Sequence, residues 1–268
     1  MWIFLESAIL AVLSSALISC VGYYAEKFGI TTLSFCITHA ALAGASIGLV
    51  LGFEPTCSAM AFGVLSALLL GVAIPKVNLK DVLILSLFSF FSAVALIAIY
   101  LSNTTVLATT SVSMLLWGSI LAVEPRRIIL VFSVLLIFAL YLKTFRGEIE
   151  SIIFDRTLAE AEGVDIYFHT LTLLVFMSIA IALALRITGG FLVFSLLYLP
   201  VASSLMLSDV ARTQLSLAIL LSVLSSLLGI LLSYAFDLPV GSSITIMATL
   251  LLLLSCILRT IRTVRRDV

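Results

Sequence analysis

The sequence predicts an all-α, polytopic membrane protein, and three observations carry that prediction: an apolar excess, a scarcity of charge, and hydrophobic runs of spanning length. Of 268 residues, 63% are hydrophobic and 10% are charged, and the mean hydropathy is +1.32. Soluble domains carry roughly 45–50% apolar and about 25% charged residues. A water-soluble fold of this composition would expose much of its apolar surface, so the bilayer is the fitting solvent. The formal net charge of zero leaves no basic footprint for nucleic acid and no acidic tail.

A spanning helix needs about 20 mostly apolar residues, because the hydrocarbon core is about 30 Å thick. Nine stretches meet that length: 2–24, 32–52, 55–74, 83–101, 127–145, 167–187, 190–208, 213–235 and 241–258. The opening run MWIFLESAILAVLSSALISC lacks a basic leader, carries Glu6 and exceeds the apolar core of a signal peptide. It reads as a retained first span. A tenth run, SVSMLLWGSILAV at 111–123, is short. It is either a tight full span or a re-entrant half-helix, which is tolerable only where protein or a cavity surrounds its ends.

Basic residues discriminate between those two readings. With ten crossings, Lys27, Lys76, Lys80, Arg126, Arg127 and Arg186 lie outside and the other eight lie inside, a weak asymmetry. With nine crossings, only Arg126, Arg127 and Arg186 are external. The positive-inside rule favours nine spans, an external N-terminus and a cytoplasmic C-terminus. The tail at 259–268, RTIRTVRRDV, then acts as an inside anchor.

The longest polar segment, KTFRGEIESIIFDRTLAEAEGVD, separates the fifth and sixth spans. Thr157 and Glu160 match a capping box, and Gly163 sits where a helix commonly stops. A short cytoplasmic surface helix is the economical reading, and a plain solvated connector is the alternative. Elsewhere, Ala40, Ala41, Ala43, Gly44, Ala45 and Gly48 crowd the second span, as residues that let helices approach closely. Thr188-Gly189-Gly190 marks a tight turn, Pro200 is expected to kink or break the seventh span, and Asp237-Leu238-Pro239 marks a turn before the last.

Chemistry has few places to reside. His39 is the one ionisable group well inside a run, with Ser34 and Thr38 nearby and Cys36 three residues before it. Intramembrane polar groups face the bundle or a water-filled path. Cys36 and His39 share roughly one helical face, and thiolate and imidazole both suit zinc-like metals. Two residues are not a site, however, and a histidine that merely bridges helices fits equally well. His169, beside Tyr167 and Phe168 at a helix start, reads as interfacial. The four cysteines, Cys20, Cys36, Cys57 and Cys256, form no CxxC pair and read as small core residues. There is no HExxH, no GxSxG with a paired histidine, and no Walker A loop, so coupling to ATP would need a partner.

Five stretches taken together resemble one family. ITHAALAGASIG at 37–48 resembles the SHAxLPGVALG stretch in permeases of ATP-binding-cassette importers for divalent metal cations (the ABC-3 type). LLWGSILAVEP is similar to that family's LFGSILAVS, and FDRTLAEAEGVD to its cytoplasmic FDxxxAxAxGV loop. GGFLVFSLLYLPVASSLML resembles GxLLVxALLxLPAAxA, and LLGILLSYAFDLPVGSSI resembles GLxLSYxLDLPxGxxI. The matches keep family order across most of the chain.

The resemblance implies a type II ABC-importer-like bundle, with residues 1–268 as one permease domain of the cell (inner or plasma) membrane. It implies a second copy of the chain, two ABC ATPase subunits on the cytoplasmic side that bind the ATP, and an external substrate-binding protein. The chain itself is then no enzyme and holds no permanent cofactor; a divalent metal cation, of zinc, manganese or iron class, is cargo. Segment 146–166 becomes the ATPase-coupling element, through Asp155, Leu158, Ala159, Glu160, Ala161 and Gly163. Ser34, Thr38, Ser119 and Pro200 become pathway-lining, His39, Cys36 and Asp237 become metal-contacting candidates, and Glu54 joins Asp237 at the external mouth. One departure stands out: the family usually carries an aspartate four residues before the motif histidine, and here that residue is Phe35. Metal specificity therefore does not carry over. The alternatives are the same machinery importing a metal chelate, or an intramembrane enzyme or structural subunit.

Overall fold

The computed structural model describes residues 2–74, 77, 79–107, 109–118, 125–190 and 193–266, and all its regular structure is helical among these residues. Eight helices are long and apolar enough to cross a membrane: α1 (Trp2–Lys27), α2 (Thr31–Leu51), α3 (Pro55–Ala73), α4 (Lys80–Thr104), α6 (Pro125–Thr144), α9 (Ile166–Thr188), α11 (Ala211–Phe236) and α12 (Val240–Arg266). A shorter apolar helix, α10 (Val193–Leu207), completes the nine predicted runs. Between α4 and α6 lies α5 (Thr109–Trp117), with nine residues. At 1.5 Å per residue it is roughly 14 Å long, too short to span. The short-helix reading of run 111–123 is the one that fits, although Ser119 and the rest of 119–124 lie outside the described residues.

Contacts sort the connections to two ends of the bundle. At one end, the Arg127 guanidinium at the start of α6 reaches Glu54 in the α2–α3 turn, and the Gly190 N–H donates to Leu115 O of α5 at 2.7 Å. The opposite end holds α7 (Arg146–Phe154) and α8 (Arg156–Ala161). There Arg262 of α12 donates to Leu207 O at the end of α10, and Tyr23 of α1 donates to Ala211 O of α11.

The interior is packed through small residues and hydroxyls. Ala40, Ala41, Ala43, Gly44, Ala45 and Gly48 of α2 are all buried. A Cβ on Gly44 would sit 2.5 Å from the Phe62 Cβ and 2.6 Å from Ser58 O, so only glycine lets α3 lie this close. Side chains then hydrogen-bond across helices: Ser178 to Gly63 O, Ser222 to Ser15 O, and Ser195 with Thr245. Such bonds contribute about 0.6 kcal/mol each on average in membrane bundles.

Segment 143–165 differs from its prediction in two respects. First, it forms two helices. Bonds from Phe145 N to Tyr141 O and from Ile149 N to Phe145 O carry the ladder of α6 into α7. Asp155, extended at φ −154, then turns the chain into α8. Second, the cap is Asp155 and not Thr157: its Oδ1 accepts from Thr157 N at 2.8 Å and from Leu158 N at 3.0 Å. A cap must precede the first turn in extended backbone, and Thr157 is already inside that turn. The stop lies where predicted. Gly163 has φ +87, and bonds from Gly163 N to Glu160 O and Val164 N to Ala159 O close the helix end. Pro200 does not break the seventh span, because α10 runs through it. Within a bundle, neighbouring groups can absorb the hydrogen bond that proline removes.

Candidate functional site

Helix α2 presents its polar and aromatic groups to several neighbours. The His39 side chain, in a residue only 7% exposed, meets α4: Nδ1 lies 2.9 Å from Ser92 Oγ, and the ring lies edge-on to Phe88 at 4.5 Å. Ser92 donates its single proton to Phe88 O at 2.7 Å. The hydroxyl thus bridges the Phe88 carbonyl and the imidazole, and Nδ1 of His39 is occupied by a helix-to-helix bond. Histidines that bind metals characteristically have their other ring nitrogen occupied in this way.

The remaining candidates are placed as follows. Cys36 is buried and lies beside Ser66 of α3, so it meets a different helix from the one His39 meets. Ser34 and Thr38 are buried with their hydroxyls bonded to Thr31 O and Ser34 O of their own helix. Phe35 packs on Phe194 and Tyr198 of α10, at 5.1 and 6.2 Å between centroids. Asp237, with φ 52, is the left-handed residue that closes α11 and is exposed. Among the described residues, no three His, Cys, Asp or Glu side chains gather as a ligand set. Pro200 is buried within α10. Glu54 is occupied structurally: Oε2 accepts from Cys57 N to cap α3, and Oε1 pairs with Arg127 at 3.0 Å.

Two adjoining cavities run from this region toward the α7–α8 end. One, of about 400 Å3, is bounded by Thr32, Phe35, Asp81, Ile84, Leu85 and Phe88. The other, also about 400 Å3, shares Thr32, Asp81 and Ile84 and reaches Lys80, Arg156 and Glu160. The aromatic ring beside His39 bounds the first cavity, and α8 bounds the second.

Residues 1–259 match the ABC 3 transport family. The chain belongs to that family. Among its relatives, the manganese import system permease protein ScaB of Streptococcus gordonii is 26% identical over 257 residues, covering 94% of this chain and 90% of the relative. The manganese transport system membrane protein MntC of Listeria monocytogenes is 28% identical, covering 92% of this chain and 88% of its own. A probable iron transport system membrane protein of Haemophilus influenzae is 26% identical, covering 94% and 88%. The fold is similar to that of PsaBC from Streptococcus pneumoniae in complex with Fab, with TM-score 0.81, 24% identity, and 93% of this chain and 89% of that chain covered.

For an ABC 3 family chain, the aromatic contacts of Phe35 have a clear consequence. Phe35, where the resemblance led to an expected aspartate, is held by two rings of α10 and borders a cavity shared with Ile84, Leu85 and Phe88. Sequence reasoning also missed one polar cluster. His169 is fully buried rather than at a wet interface: its Nδ1 lies 2.7 Å from Tyr141 Oη and its Nε2 lies 2.6 Å from Glu148 Oε2. Separations of 28 and 21 residues left no local motif to find.

Proposed function

We propose that the chain is the permease subunit of an ABC importer that moves a divalent metal cation of the manganese or iron class into the cell. The family match over residues 1–259 carries this reading, and relatives named as manganese and iron transport components support the cargo class. In this reading two copies enclose the path, an external binding protein delivers the cation, and two ATPase subunits dock on α7–α8. The α7–α8 end is cytoplasmic, because it gathers Lys27, Lys80, Lys143, Arg146, Arg156, Arg212, Arg259 and Arg262 while Arg126 and Arg127 lie at the other. Phe154 and Leu158, exposed at the α7–α8 junction, supply the apolar anchor for the ATPase.

His39 is the cation's contact inside the bundle, and the two cavities between it and α8, which share Thr32, Asp81 and Ile84, are the inward route. ATP binding shifts the two gate states only as far as the partner binds one of them better. With Phe35 in place of a carboxylate, the cation is held by fewer hard ligands, which favours brief occupancy over tight storage.

The test is uptake of a panel of radioactive cations into proteoliposomes holding the full complex. ATP-dependent uptake of manganese or iron that falls on His39→Ala supports the reading. No uptake of any free cation, with uptake of a metal chelate instead, overturns the cargo assignment.

A further inference from the structure

The Tyr141–His169–Glu148 cluster joins three elements: Tyr141 ends the span α6, Glu148 lies on the surface helix α7, and His169 opens the span α9. The imidazole is enclosed, with Phe145 at 5.4 Å and Phe168 at 5.2 Å edge-on to it. Glu148, by contrast, is 47% exposed and faces water on its other side.

Proton counting gives the cluster a direction. Ionised Glu148 only accepts, so Nε2–H of His169 donates to it; in the neutral ring Nδ1 accepts from the Tyr141 hydroxyl, and in the imidazolium it donates to that oxygen. Both ring nitrogens are thus partnered. If α7 moved alone, Glu148 would leave and a buried N–H would lose its acceptor inside an aromatic cage. Leaving a buried donor unmade is the costly part of such a bond. Motion of α7 and motion of α9 are therefore tied.

The far end of α9 is tied as well. After its 23 residues, roughly 35 Å of helix, Gly189 adopts φ +81 and a Cβ there would sit 2.3 Å from Leu116 O. The next residue, Gly190, donates to Leu115 O of α5. A rigid span thus connects the surface helix at one end with the short helix α5 at the other.

We propose that His169 is a positioning residue that fastens α7 to α9 and α6, so that displacement of α7 by a partner moves α9 as a rod and α5 with it. This rests on the reading that α7–α8 receive the ATPase. Tyr141 and Glu148 act through His169, and none of the three touches cargo.

The experiment uses the full complex in proteoliposomes and measures metal uptake per ATP hydrolysed. A second, cargo-independent readout is the ATP-dependent change in labelling rate of a cysteine placed by Trp117→Cys on α5, with native cysteines replaced. His169→Leu, which removes both bonds, should lower uptake per ATP about tenfold and abolish the labelling change while hydrolysis continues. His169→Gln, whose amide offers one donor and one acceptor, should recover part of both. Tyr141→Phe keeps its ring packing against Phe138 and Phe176 and should lower uptake per ATP roughly threefold. The double variant Tyr141→Phe/His169→Leu should be no worse than His169→Leu, since both act through one chain. An unchanged ratio in Tyr141→Phe and His169→Leu, or losses that multiply in the double variant, would overturn the proposal. A wild-type complex that hydrolyses ATP and changes its labelling rate yet imports no free cation would overturn the cargo reading and leave this one standing.

Discussion

Spans α2 and α6 are held in place by opposite means. Helix α2 is enclosed along its length, with Cys36, Ile37, Ala40, Ala41, Ala43 and Ala45 wholly buried. Helix α6 buries a narrow stripe, Val131 and Phe138, and leaves Ile129, Leu130, Phe132, Leu136, Ile137 and Leu140 exposed. It is clasped by polar groups at its two ends instead, through Arg127 to Glu54 and Thr56, and through Tyr141 to His169. Packing along a whole helix ties its position to the neighbours it packs on, because dense interiors do not deform gradually. Clasps at two ends fix a helix only while the hydrogen bonds last. The difference means that α2 can shift only together with its neighbours, whereas α6 and its continuation α7 depend on a few named bonds.

Four substitutions test this contrast. The largest effect is expected from Gly44→Val, which forces a side chain into Phe62 and the Ser58 carbonyl. It should destabilise the bundle by about 2–3 kcal/mol, read as a lowered unfolding midpoint in detergent. Equal thermal stability would show that α2 is not held by close approach. Next is Arg127→Ala, which strips Glu54 and Thr56 of their guanidinium partner. Because the Glu54 side chain is 45% exposed, solvent screens the loss and about 1–2 kcal/mol is expected. Restoration by Arg127→Lys would argue that charge alone, not the forked geometry, makes the clasp.

Ser92→Ala removes the hydroxyl partner of His39 Nδ1 and should cost about 1 kcal/mol. Nitrogen NMR of labelled histidine checks it directly: the Nδ1 resonance should move in the variant. An unchanged Nδ1 resonance would refute the bond. The smallest effect belongs to Leu136→Ala on the outward face of α6, where the residue is 52% exposed. A change under about 0.5 kcal/mol is expected, and a larger loss in detergent would mean that another chain covers that face.

Much of the architecture was legible because hydrocarbon imposes it. Nine runs of spanning length correspond to the eight long apolar helices and α10, since an unpaired backbone cannot cross lipid. Gly163 was readable as a stop because its positive φ favours glycine. Capping was less legible. Asp155 and Thr157 are both good caps, and the choice depends on where the chain bends after α7. The candidate site was partly legible: burial of His39 follows from its place in an apolar run, but its partner Ser92 lies 53 residues away. The shared face of Cys36 and His39 did not bring them to one neighbour, because α3 and α4 both pack on α2 and divide that face. His169 was least legible, since a histidine at a helix start has a wet interface as its default.

The six-residue helix α8 carries its own beginning in Asp155 and its own end in Gly163. Neither signal borrows a group from the spans. Start and stop are thus written inside the segment itself, so its exposed residues can be exchanged while the helix keeps its bounds and the membrane interior stays as it is.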